Sequence, residues 1–278
     1  IDMTVEVRHF FANVDPEALG HKALAVNLSD LAACGAKPQA FTLALALPRV
    51  DEAWLAGFSR GLLALADAHG CELVGGDTTQ GPLNICITVF GEVPAGQALL
   101  RSGARAGDDI YVSGTLGDAR LALEALMGHI DLPDDLLAQA RQRLERPTPR
   151  VALGLALRGV VSSAMDVSDG LLGDFAHILK ASGVGACIHT HETIKLIAAS
   201  AYLSSATGLF DTQTSAPLLH QCTLAGGDDY ELVFTAPPAH RAAVAAAAAQ
   251  SQTPVARIGQ VQAEPGLRLV DAQGQPVE

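Results

Sequence analysis

The stretch Glu72 to Thr79 most constrains how this chain can fold, because a short apolar strand, Glu72-Leu73-Val74, runs directly into Gly75-Gly76-Asp77-Thr78-Thr79. Open α/β sheets place ligands at such strand ends, where small residues let a ligand approach the backbone. Asp77 is then either a ligand-facing carboxylate or an ordinary turn aspartate, and the double glycine with two following threonines favours the first. The surrounding pattern supports a sheet with helices. Ile1, Met3, Val5 and Val7 alternate with Asp2, Thr4, Glu6 and Arg8, as in a strand whose apolar face is buried. Asp15-Pro16-Glu17 gives an N-cap and a proline start to a helix in which Leu24, Leu28 and Leu31 follow helical spacing, with Gly35 and Pro38 ending it. A strand is expected over Ala40 to Leu47 and a helix over Asp51 to Gly70, with Leu55, Phe58 and Leu62 inward. A buried strand over Glu72 to Val74 and another over Asn84 to Val93 complete the first half.

Pro94 to Asp109 is rich in Gly, Ala and Arg and reads as a linker, so the domain boundary is placed there, giving domains 1–96 and 97–278. The second half opens with a strand at Ile110 to Val112, the loop Ser113-Gly114-Thr115-Leu116-Gly117-Asp118 and an Ala/Leu-rich helix. That order can bind an anion at a helix start, but the loop has neither the P-loop nor the dinucleotide glycine pattern. A helix after Asp169 closed by Ser182-Gly183, strands at Ala186 to His189 and Tyr230 to Thr235, and a surface helix over Ala242 to Ala249 are expected, with Leu203 to Leu218 irregular. The fold class is two-domain α/β, of the α+β type.

The 278 residues are 49% apolar, enough for substantial cores. Lys and Arg total 18 against 30 Asp and Glu, a net charge of −12, which excludes a nucleic-acid surface because that needs clustered positive charge. A phosphate-handling protein this acidic needs metal ions between itself and its substrates. Cys34, Cys71, Cys86, Cys187 and Cys222 are scattered and odd in number, so no disulfide frame or zinc site is indicated and a cytoplasmic setting is expected. No apolar run reaches about 18 residues and no leader pattern is present, so no membrane partner is expected. The first residue is Ile, so the natural start is expected to lie upstream.

Asp166-Val167-Ser168-Asp169-Gly170 puts two carboxylates three residues apart just before a helix. Ser168 or Asp169 could cap that helix, but capping needs only one of them; paired carboxylates beside a helix N-terminus also suit divalent cations and phosphate. Asp30 lies in an otherwise apolar helix, sharing a face with Asn27, and is either a solvated residue or one that meets a cation. Gly226-Gly227-Asp228-Asp229-Tyr230-Glu231 is either a hairpin turn or a set of ligand contacts. His9 taken alone is structural, His189 and His191 are surface residues sharing a strand face, and Cys34 and Cys71 are buried small apolars. The combination is the telling part. Two unit charges about 4 Å apart repel by about 4 kcal/mol at an effective dielectric of about 20, and bridging Mg²⁺ ions held by Asp30, Asp77, Asp166 and Asp169 would offset that without a covalent intermediate.

The stretches Asp2 to Phe10, Lys22 to Ala33, Leu73 to Thr79, Arg101-Ser102-Gly103-Ala104, Asp166 to Leu171 and Gly226 to Leu232 span nearly the whole chain, and in them it resembles the thiamine-monophosphate kinases. Their superfamily also contains aminoimidazole ribonucleotide synthetase, selenophosphate synthetase and a hydrogenase maturation protein. The resemblance implies transfer of the ATP γ-phosphate to thiamine monophosphate, a homodimer built through the sheet of the N-terminal domain, and nucleotide bound between the domains. By the same resemblance Asp2, Asp30, Asp77, Asp166 and Asp169 are Mg²⁺ ligands, Gly76, Asp77, Arg101 and Ser168 contact ATP, and His9 and Asp228 contact the acceptor. The sequence departs from the family in three places: no Gly-x-Gly-Asp-Asp segment precedes Asp2, Asp228 stands where Glu is usual, and no aromatic-containing tail follows Glu278. The rival readings are another ATP-using member of the superfamily and a non-catalytic nucleotide- or metal-binding homodimer.

Overall fold

The computed structural model describes residues 1–198 and 212–277. The first half supplies β1 (Asp2–Val5), α1 (Pro16–Ala33), β2 (Lys37–Leu47), α2 (Glu52–His69), β3 (Glu72–Gln80) and β4 (Asn84–Glu92). These strands form one sheet in the order β1-β4-β2-β3, with β2 and β3 parallel and the other pairs antiparallel. Both helices begin as their sequences require. The Asp15 carboxylate accepts the Ala18 amide at 2.9 Å and that of Asp51 accepts the Trp54 amide at 3.0 Å, each satisfying a donor that the first helical turn leaves open. α2 stops at Gly70 in the left-handed region, φ 58°. The helices cross so closely that a Cβ at Gly61 would lie 1.8 Å from the Glu17 carbonyl oxygen.

α1 is buried on nearly every side, polar Lys22, Asn27 and Ser29 included. It lies between the sheet and the second half of the chain, and one apolar core containing Leu24 and Leu28 also takes in Leu153, Leu232 and Phe234. A helix hydrophobic all round is one with neighbours all round.

Two strand expectations are reversed. In β1 the apolar set faces out, with Met3 57% exposed, while Thr4 is buried. The Asp2 amide donates to the buried Asn27 side chain at 3.1 Å, which ties the polar set to α1. β3, expected to be buried over 72–74, is exposed at every residue from Glu72 to Gln80. It is an edge strand, and its register on β2 slips at Phe41/Thr42, so the two glycines sit within the strand beside a bulge and do not follow it.

The second half supplies β5 (Asp109–Ser113), α3 (Asp118–Leu126), α4 (Asp134–Glu145), α5 (Val151–Ala156), β6 (Ser163–Val167), α6 (Leu171–Ser182), β7 (Gly185–His189), α7 (Thr190–Thr193), α8 (Thr212–Ala225), β8 (Glu231–Ala236), α9 (Arg241–Gln250), β9 (Val255–Gln262) and β10 (Gly266–Val270). Its sheet runs β10-β7-β9-β5-β8-β6, antiparallel except for β10 with β7. The expected irregular stretch 203–218 is corrected over Thr212 to Leu218, which is helical; 203–211 lies outside the described residues. α8 forms despite Pro217 because Leu219, Cys222 and Leu224 bury an apolar face, Leu219 and Cys222 against Leu121 and Ile197. α9 is a surface helix with Val244 and Ala247 inward. No described helix is long and apolar enough to cross a membrane.

Candidate functional site

The site forms where α1 meets β6 and the loop before β8. Because the Asn27 side chain holds the Asp2 amide, the Asp2 carboxylate lies against that of Asp30 one turn along α1. Desolvation first, and the charge of Asp2 next, raise the Asp30 pKa above the ordinary carboxylate value. The Ser29 hydroxyl, beside Asp30, donates to Asp166 at 2.8 Å, joining α1 to the end of β6. Asp166 is 6% exposed, and burial pushes its pKa up to about 7; the Ser29 hydrogen bond opposes the rise, and Asp30 and Asp174 add to it. Crowded carboxyls whose pKa values rise despite nearby positive charge are a poor arrangement by themselves and a good one for a hard cation.

Asp169 is exposed on the loop after β6, and Ser168 is partly buried. The capping alternative for these two is corrected. Asp174, from within α6, accepts the amides of Ser168, Asp169 and Gly170 at 2.9, 3.0 and 3.1 Å, which leaves the Ser168 and Asp169 side chains free of that task. Burial is the main cause of a raised Asp174 pKa. In the glycine loop before α3, both oxygens of the deeply buried Asp229 accept the Gly117 amide, so a carboxyl of the protein itself already occupies that helix start.

Gly226 to Tyr230 is no hairpin turn. It lies along the end of β6, where the Asp228 amide donates to the Ser168 carbonyl and the Tyr230 amide to the Val167 carbonyl, both at 2.8 Å. Asp228 and Tyr230 hold left-handed backbone, φ 68° and 51°, a conformation that costs non-glycine residues of order 1–3 kcal/mol and collects at functional positions. The Asp228 carboxylate meets the Lys22 ammonium at 2.8 Å and the Tyr230 hydroxyl, which donates to it, at 3.3 Å. Burial, then the charges of Asp228, Asp2 and Asp166, hold the Tyr230 phenol well above its ordinary pKa, so it stays a hydrogen-bond donor.

Lys22 and Asp228 open into a cavity of about 560 Å³ between the halves, lined by Arg8, His9, Phe11 and Leu19 on one side and by Arg120 and Met127 on the other. The His9 ring is turned by its Nδ1, which accepts the Val5 amide at 3.0 Å. A second cavity of about 430 Å³ lies away from these groups, around Asp109, Cys187 and His189. The exposed Arg101 bears on Asp30 from the start of the second half and opposes the rise of its pKa. Cys34 is exposed and not buried, and its thiol is pushed up by desolvation, Asp30 and Asp166, so it is no nucleophile. The His189 and His191 rings stack at 5.7 Å, one at the end of β7 and the other in α7.

Asp77 and Gly76 are not part of this cluster. Register places Asp77 level with Ala44 of β2, Cys86 of β4 and Met3 of β1, on the open face of the sheet, three strands away from β1. A side chain at Gly76 is forbidden by the sheet itself, since its Cβ would lie 1.9 Å from the Leu43 carbonyl oxygen. Among the described residues no three of His, Cys, Asp and Glu converge into a preformed metal site. Sequence reasoning weighed Tyr230 only as part of the Gly226 to Glu231 motif and assigned no role to Lys22 or Asp174; for Lys22 the available signal was a lone lysine eight residues before Asp30 in an apolar helix.

Family models described as AIR synthase related protein match the chain, the N-terminal domain over residues 1–93 and the C-terminal domain over residues 105–272. A thiamine-monophosphate kinase of Salmonella typhimurium is 45% identical over 99% of this chain and 82% of its own length. The crystal structure of thiamine-monophosphate kinase from Stenotrophomonas maltophilia superposes with a TM-score of 0.88 at 42% identity, covering 99% of this chain and 84% of that one. The structure described as AaThiL complexed with AMPPCP and TMP superposes with a TM-score of 0.83 at 30% identity, covering 100% of this chain and 83% of that one.

Proposed function

Because the chain belongs to the AIR synthase related family and, within it, to the thiamine-monophosphate kinases, we propose that it transfers the γ-phosphate of ATP to thiamine monophosphate, giving thiamine diphosphate and ADP. The observation that carries this reading is that α1 serves two sites at once. At Asp30 it borders the carboxyl cluster, and eight residues earlier, about 12 Å along the axis, Lys22 borders the cavity that holds His9 and Asp228. ATP would lie at the Asp30 end, contacting Arg101 and Ser168, and the acceptor in the cavity, contacting His9 and Asp228. Tyr230 stands between them, bonded to Asp228 and within the field of Asp2 and Asp166. Asp228, though shorter than Glu, already reaches across to Lys22.

The donor set of Asp2, Asp30, Asp166 and Asp169 would hold Mg²⁺. When bound, Mg²⁺ would offset the repulsion between the nucleotide and acceptor phosphates. Asp77 and Gly76 would join this site from a second subunit. The outer face of the first sheet has no covering layer among the described residues, and it exposes Met3 and Phe90, which favours a homodimer formed through that face. The two sheets are the natural domains, divided at 96/97, and the free, unpaired cysteines suit a cytoplasmic enzyme. Incubation with ATP, Mg²⁺ and either thiamine or thiamine monophosphate tests the function: thiamine diphosphate is expected from the monophosphate alone. ATP binding without product would instead favour another superfamily activity or a binding protein.

A further inference from the structure

Lys22 is 6% exposed at its side chain, yet its ammonium faces a cavity instead of a core, and its ion partner Asp228 is one-third exposed beside it. Lys22 comes from α1 and Asp228 from the loop before β8, so the pair spans the two halves. Asp228 keeps a left-handed backbone, fastened by its own amide to Ser168, and its carboxylate also takes the Tyr230 hydroxyl. Tyr230 can retain Asp228 when Lys22 leaves, and the four-carbon lysine stem can swing its charge without moving α1. The neighbouring Arg120 is already engaged by Glu124, while its Nε is buried with no partner. Lys22 is thus a cavity cation whose counter-ion can itself be used by a ligand, and it differs from Arg8 and the Arg141–Glu145 pair, which also line the cavity, in bridging α1 to the loop before β8.

Resting on the kinase reading, we propose that Lys22 and Asp228 form an exchangeable ion pair that selects a zwitterionic acceptor: Lys22 transfers to the acceptor's phosphate, and Asp228 turns to the acceptor's ring cation. Thiamine monophosphate has this chemistry, a thiazolium ring joined to a phosphomonoester by a two-carbon arm. An internal pair is given up and two intermolecular pairs replace it, so a phosphate ester without the cation leaves Asp228 unpaired and binds less well.

The test compares thiamine monophosphate with its uncharged 3-deaza ring analogue, by steady-state kinetics and by calorimetric binding without ATP, in wild type, Lys22→Met, Lys22→Arg, Asp228→Asn and the double variant. Wild type is expected to prefer thiamine monophosphate by about 10-fold or more, Asp228→Asn to erase that preference, and Lys22→Met to raise the acceptor KM for both compounds by about 10- to 100-fold while leaving the ATP KM in place. Lys22→Arg should recover part of the loss. If Lys22→Met folds poorly, the double variant, which leaves no lone charge, carries the same comparison. The proposal is overturned if Asp228→Asn weakens both compounds equally, or if Lys22→Met changes the ATP KM and not the acceptor KM. Lys22-dependent binding of thiamine monophosphate without thiamine diphosphate formation would reject the kinase reading and keep the ion-pair exchange; turnover with neither signature would do the reverse; wild type that neither binds nor turns over would reject both.

Discussion

Mixing two inactive variants, Asp30→Asn and Asp77→Asn, is expected to restore activity that neither has alone. Asp30 sits against Asp2 and, through Ser29, beside Asp166, whereas Asp77 lies on β3 at the opposite edge of the four-stranded sheet from β1. Three strand spacings of about 4.8 Å put Asp77 on the order of 14 Å from β1, and a Mg²⁺ ligand must come within about 2.1 Å of the ion. One subunit therefore does not bring Asp77 to the Asp2–Asp30 pair; a second copy packed on the open sheet face can. Each pure variant should stay folded and lose at least about 100-fold in turnover. In a mixed dimer one site carries both substitutions and the other carries neither, so random reassociation of equal amounts should return about one quarter of wild-type activity. The assay is thiamine diphosphate formation after mild dissociation, mixing and reassociation, with dimerisation followed by sedimentation. Zero recovery in a verified mixture, or a fully active Asp77→Asn variant, refutes the two-subunit site.

Three further outcomes follow from the same geometry. The Asp166 pKa rises from about 4 unfolded to about 7 folded, so its contribution to stability is fully present below about pH 4 and lost as pH climbs through about 7, an effect on the order of 4 kcal/mol. In chelator, the urea midpoint of wild type should fall between pH 5 and 8 more than that of Asp166→Asn, and parallel profiles would refute this. Asp174→Ala strips the acceptor from three amides, which should cost about 2–3 kcal/mol, raise the ATP KM and speed amide exchange at Ser168 to Gly170; unchanged exchange there would count against the clamp. Gly76→Ala drives a Cβ into the Leu43 carbonyl at a φ of +148°, and a loss of about 3 kcal/mol or more is expected, read as a lowered Tm; an unchanged Tm would mean that β3 is not held to β2 as described.

Local signals were legible where one stretch of chain settles its own structure. Asp15-Pro16 starts α1, Asp51 and Gly70 bound α2, and Gly183 ends α6, because caps and left-handed glycines act within a few residues. The acidic motifs around Asp30 and Asp166 also announced themselves, since carboxylates in apolar or glycine-bounded settings need a reason. Direction and partnership were not legible. The alternation in β1 marks a strand but does not say which face is buried, and here the apolar face is outside while Thr4 turns inward and the Asp2 amide meets Asn27 of α1. The sequence of Asp166 to Gly170 permits capping by its own side chains, and only the fold brings Asp174 to do that work. Lys22 and Asp228 stand 206 positions apart, and nothing local to either foretells a 2.8 Å ion pair. The sequence by itself determined the helix caps and the chemistry available to the chain, because those depend on short-range sterics and on residue type, but not the helix over Thr212–Ala225 or the run of β3 through its glycines to Gln80. Tertiary structure alone decided which carboxyls adjoin, which cation answers them and that Asp77 points away from the rest, because those depend on how two sheets close around one shared helix.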